Sequence, residues 1–102
     1  MTESHVEIVW TDYMEYRARL RGFDLAKIEQ IVRYSGERYV DTVTGRLITV
    51  GRIDDLLVMI PCDTEQGSIM VGDCPTITPV TIHATTRQQI NFRLKTRRFI
   101  NE

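Results

Sequence analysis

Cysteine is scarce in this sequence, with Cys62 and Cys74 alone, and two cysteines do not make the framework of a disulfide-held secreted domain. Both are expected to be reduced thiols, although their spacing also fits a bridge across a hairpin. Neither has a second Cys or His within the short spacing of zinc knuckles, so no metal site is expected. Long apolar runs are missing too. Leu56 to Ile60 is the longest and is far too short to span a bilayer. Met1 to Val6 carries Glu3 and no basic cluster ahead of an apolar stretch, so it does not read as a signal peptide, and the cytoplasm is the expected location. A Gly-rich phosphate loop and a paired Asp/Glu constellation are likewise absent, which removes the common nucleotide-binding and two-carboxylate chemistries. The chain is expected to work without a cofactor.

What is present suits one soluble domain, residues 1–102. A chain of 102 residues buries one core and is too short for two, and 42% hydrophobic with 26% charged residues is ordinary globular usage. The formal net charge of −1 conceals an asymmetry. From Arg87 onward the chain carries Arg87, Arg93, Lys95, Arg97 and Arg98 against Glu102 alone, whereas acidic residues outnumber basic ones before it. A basic end on a near-neutral protein fits either a phosphate-contacting surface or a solvated helix face.

Val6, Ile8 and Trp10 alternate with Glu7 as in a short strand, and Thr11 or Asp12 then caps a helix ending at Gly22. Tyr13, Tyr16 and Leu20 recur at helical spacing and are expected to form its core stripe, with Trp10 also in the core. Asp24 caps a second helix, with Leu25, Ile28, Ile31 and Val32 on its apolar face, that ends near Ser35-Gly36. Beyond Glu37 the period changes to two. Thr44-Gly45 and Asp54-Asp55 are turns, Leu56 to Ile60 is a central strand closed by Pro61, and Cys62 to Pro79 is a turn-rich excursion in which Ser68 to Val71 fits a small strand. Val80 to His83 reads as the last strand. Thr86, with Gln89 three residues on, opens a helix with capping-box spacing, and Ile90 and Leu94 face its core. The fold class is therefore α+β: two N-terminal helices, a four-stranded antiparallel sheet and a C-terminal helix.

Histidine and arginine carry most of the chemistry available here. His83 stands where a strand end meets a helix start, either as a base or acid near its ordinary pKa of about 6.5 or as a half-buried ring bonded to backbone. Metal-independent phosphodiester cleavage needs a group that takes the 2′-hydroxyl proton and cations that hold the crowded phosphate. Arg87, Arg46 and Arg52 are the candidate cations, the last two sharing one side of a strand. Arg52 beside Asp54-Asp55 also fits a turn salt bridge. Thr85, Thr86, Arg93, Lys95, Arg97 and Arg98 are candidate RNA-binding residues, Thr86 being first of all a cap. Tyr13, Tyr16, Tyr34 and Tyr39 fit base stacking or core packing.

The run Arg21-Gly22-Phe23-Asp24, the segment Ile28-Glu29-Gln30-Ile31-Val32 and the closing Val80-Thr81-Ile82-His83-Ala84-Thr85-Thr86-Arg87 resemble the BrnT-like branch of the RelE/ParE toxin superfamily. The resemblance covers roughly His5 to Phe99. It implies a RelE-like fold with a curled sheet and a ribonuclease toxin acting on messenger RNA, free or on the ribosome. It also implies a cognate antitoxin protein covering the active face. ParE-like relatives poison DNA gyrase, so a non-catalytic protein-binding role on the same scaffold stays open, as does RNA binding without cleavage.

Overall fold

The computed structural model describes residues 6–65 and 75–102. The elements run β1 (Glu7–Ile8), α1 (Asp12–Arg21), α2 (Leu25–Tyr34), β2 (Glu37–Asp41), β3 (Leu47–Ile53), β4 (Leu56–Glu65), β5 (Thr76–Pro79), β6 (His83–Ala84), α3 (Arg87–Lys95) and β7 (Phe99–Asn101). The strands form one sheet in the order β1-β5-β4-β3-β2-β7, with β6 paired to β4. All pairs are antiparallel except β1 with β5.

This corrects the expected four-stranded antiparallel sheet: among the described residues the fold is α+β with three helices and a seven-stranded mixed sheet. The N-terminal strand joins it in parallel, and a further strand follows α3. The strand expected at Val6 to Trp10 is present as β1, whereas β7, with three residues, is too short to show a period. Pro61 does not close the central strand, which runs on to Glu65. Its carbonyl accepts from the Val80 amide at 2.8 Å, so the edge of β4 that Pro61 presents faces the break between β5 and β6. A missing N–H costs no ladder bond there. The same break replaces the expected strand Val80 to His83. Ser68 to Val71 and Cys74 lie outside the described residues.

Local chemistry explains the connections. Thr11 and Asp24 accept amide bonds at the starts of α1 and α2, and Gly22, at φ 77°, takes the left-handed conformation that ends α1. The Asp41 carboxylate accepts from the amides of Val43 and Thr44 at 2.8 and 3.3 Å, shaping the β2–β3 turn. Asp54, at φ 56°, makes the tight β3–β4 hairpin.

Alternation along the strands divides the core between two faces. Leu47, Ile53, Val58, Ile60 and Cys62 meet Met14, Ala18, Ile28 and Val32 of α1 and α2. Ile48, Val50, Leu57 and Met59 meet Ile90 and Leu94 of α3, together with Tyr39 and Phe99. Tyr13, Tyr16 and Leu20 are not the core stripe of α1: they are 55, 54 and 62% exposed, and Met14 and Ala18 are buried instead. Trp10 is half-buried against the α1–α2 core. Among the described residues, no helix is long and apolar enough to cross a membrane.

Candidate functional site

His83 lies opposite Met59 in the β6–β4 pairing, and cross-strand partners share a face, so both belong to the α3 side of the sheet. Because β5 and β6 meet β4 at different stretches, residues Val80 to Ile82 break the strand between them, with the Val80–Pro61 bond spanning the gap. A cleft of about 410 Å³ opens at that gap. Ile48, Met59 and Pro61 line it with apolar surface, Val80 and Thr81 come from the strand break, His83 from β6, Thr85 from just before the α3 cap, and Gln89 and Arg93 from the first and last turns of α3. Asp41, Thr44 and Arg46 line it from the end of β2 and the β2–β3 turn, Ala84 from β6, and Arg98 from the turn after α3.

The three arginines are held in different ways. Arg98 Nε and Nη2 donate to the two carboxylate oxygens of Asp41 at 2.7 and 3.0 Å, a fork on a buried acid. This pairing holds the Asp41 carboxyl down at about 2. Arg46 Nε donates to Asp63 at 2.9 Å, which leaves its two terminal nitrogens outside that bond. Arg93 forms no ion pair among the described residues, and its guanidinium lies over the Phe99 ring, 5.4 Å from the centroid. Arg97 takes a left-handed φ of 65°, uncommon for a long side chain, and so turns the chain to return Arg98 to the sheet.

His83 is half-buried, and burial is the main force lowering its pKa below the ordinary 6.5; the charges of Arg21, Arg17 and Arg93 act in the same direction. This shift favours the neutral ring, the form that accepts a proton. Arg17 is anchored nearby, its Nε donating to Thr81 Oγ1 at 3.3 Å. Thr85 Oγ1 donates to Gln89 Oε1 at 3.0 Å. The Thr86 hydroxyl accepts from the Gln89 amide at 3.1 Å, so only half of the expected capping box forms.

The structure thus gathers His83, Arg46, Thr85, Arg93 and Arg98 from the expected site residues, and leaves the others elsewhere. Arg87 pairs with Glu37, which also accepts from the Tyr39 hydroxyl at 2.7 Å. That pairing lowers the Glu37 pKa, and burial pushes Tyr39 up to about 12. Arg52 donates to the Asp55 carbonyl at 3.2 Å, closing its own turn, and lines a separate groove beside α2. Arg46 and Arg52 lie six positions apart along one strand direction, roughly 20 Å, which is too far to share one phosphate. Thr86 is a helix cap, and Lys95 and Arg97 are exposed away from the cleft. Cys62 is fully buried, and burial raises its thiol to about 12, so it is no nucleophile.

Sequence reasoning missed Asp41, Asp63, Gln89 and the influence of Arg17 and Arg21. Their roles depend on the Leu47–Cys62 register and on where α1 docks, and neither leaves a local signal. The chain matches no protein-family model, and neither a curated protein nor a solved structure matches it.

Proposed function

We propose that this chain is an RNA-cleaving protein whose cleft binds a phosphodiester and uses His83 as the base. The observation that carries this reading is a half-buried histidine on the wall of a cleft lined by Arg46, Arg93 and Arg98, where burial and neighbouring positive charge lower its pKa. Neutral imidazole takes the proton of a ribose 2′-hydroxyl. That oxygen bonds to phosphorus, the bond from phosphorus to the 5′-oxygen breaks, and the departing oxygen takes a proton from water. The products are a 2′,3′-cyclic phosphate and a 5′-hydroxyl. The Arg93 guanidinium and the terminal nitrogens of Arg46 outside its Asp63 bond stabilise the added charge on the phosphate oxygens throughout.

The test is incubation of the purified chain with end-labelled single-stranded RNA and with DNA of the same sequence. RNA cut to cyclic-phosphate ends, DNA left intact, and a loss of roughly 10²- to 10⁴-fold on His83→Ala are expected, the usual range for a removed general base. Full activity in that variant defeats the assignment. In a bacterial host the same pair is expected to separate growth arrest with fragmented messenger RNA from normal growth.

A second reading, a non-catalytic module that binds protein, is favoured by one observation. Tyr13, Tyr16 and Leu20 make an exposed apolar stripe on α1, beside the basic Arg17, Arg19 and Arg21. Its fitting occupant is an acidic amphipathic helix of a partner such as an antitoxin. Growth arrest that is lost in Tyr13→Ala/Tyr16→Ala and kept in His83→Ala would select this reading over cleavage.

A further inference from the structure

We propose that the surface of α3 continues the cleft as a track for single-stranded RNA, with an unpaired base stacked on Phe92. This inference rests on the reading that the cleft takes an RNA phosphate.

Residues four apart on a helix stand in rows, and α3 presents two adjacent rows, Gln89–Arg93 and Gln88–Phe92–Thr96. The cleft containing His83 touches the first row. A second groove, of about 470 Å³, lies between the first row and the second, and Gln89, Arg93 and Arg98 belong to both. The two depressions are therefore adjacent, on either side of one arginine-bearing ridge. A chain whose phosphate sits by Arg93 and Arg98 in the cleft carries its next nucleotide over that ridge toward Phe92.

Phe92 has no structural duty that accounts for it. It is 66% exposed, while Ile90 and Leu94 supply the packing of α3 on the sheet. A large aromatic face in water beside cationic side chains is the element on which proteins stack splayed bases. Arg93 suits the phosphate because it forms no ion pair among the described residues and rests on the Phe99 ring. Bases inside a duplex are already stacked on each other and offer no face to Phe92. The occupant is consequently single-stranded, and the contact tolerates any base.

Binding is measured by fluorescence anisotropy with a short 2′-O-methyl RNA, which cannot be cut, in single-stranded, duplex and single-abasic forms. The proteins are the wild type, Phe92→Ala, Phe92→Trp and Arg93→Gln, each checked for an unchanged thermal melt. Phe92→Ala is expected to weaken single-strand binding by about tenfold or more, the loss of one stacked base. Phe92→Trp retains it, and an abasic strand scanned past the cleft reproduces the loss with the wild type. Wild-type affinity in Phe92→Ala, with binding still weakened in Arg93→Gln, overturns the stacking track and leaves the phosphate cleft standing. Duplex bound as tightly as single strand also overturns the track. A wild-type dimer that dissociates on Phe92→Ala would assign Phe92 to a second copy of the chain and overturn it as well. Absence of any binding at low salt overturns both the track and the reading beneath it.

Discussion

The two faces of the sheet differ in how completely they are covered. On one side two helices close over an apolar layer of Met14, Ala18, Ile28, Val32, Val58, Ile60 and Cys62, each at most 1% exposed. The fit is tight enough that a Cβ on Gly51 would stand 2.8 Å from Ile31 Cγ1. On the other side a single nine-residue helix covers one part, and the rest is occupied by arginines, a histidine and the polar start of α3. A helix of that length is about 14 Å long, shorter than a seven-residue strand at about 23 Å, so one end of the layer must stay open. The lesson is that incomplete coverage, and no special motif, creates the candidate site here.

Substitutions on the two faces should therefore act on different quantities. The largest effect on stability is expected from Ile28→Ala on the closed face, about 2–5 kcal/mol by urea unfolding, with the RNA affinity of the folded protein unchanged. Asp41→Ala on the open face comes next. It removes the acceptor of the Arg98 fork and of two turn amides, and is expected to cost about 1–3 kcal/mol in the same assay. Its pH signature sharpens the contrast. The Asp41 carboxyl is lowered to about 2, so its contribution is present above the ordinary carboxylate pKa and is lost as pH falls from about 4 toward 2. The Ile28 contribution carries no such titration. Gly51→Ala drives a methyl group into Ile31 and is expected to lower stability by about 1–3 kcal/mol, read as a lower melting temperature.

The smallest stability effect is expected from Arg46→Gln, within about 1 kcal/mol because its pair with Asp63 is largely in water. That change should instead weaken RNA binding and reduce the slope of log affinity against log salt by about one. Should Arg46→Gln unfold the chain, or Ile28→Ala abolish RNA binding by the folded protein, the division of labour between the faces fails.

Much of the local structure was legible. Thr11, Asp24 and Thr86 act as caps, Gly22 ends α1, and the turns at Gly45 and Asp54-Asp55 sit where their chemistry places them. What failed was non-local. The α1 stripe was misassigned because tyrosines are the larger apolar bodies, whereas close approach to the sheet selects the flexible Met14 and the small Ala18. Arg87 lies near His83 in chain position and Arg52 shares a strand side with Arg46, yet Glu37 and the Asp55 carbonyl hold them elsewhere. His83, Arg46, Arg93 and Arg98 were legible as residue types. Their convergence depends on a strand break that Pro61 permits and on a left-handed Arg97, and neither could be deduced without the pairing register.

The proposed role of His83 as a neutral base beside a phosphate site is tested most directly by a proton NMR titration of its ring. The chain has only His5 and His83, so the His83→Ala spectrum assigns the signal. The predicted result is a midpoint below 6.5 in the free protein that rises when 2′-O-methyl RNA brings a phosphate into the cleft. A midpoint at or above 6.5 that RNA leaves unmoved would contradict it.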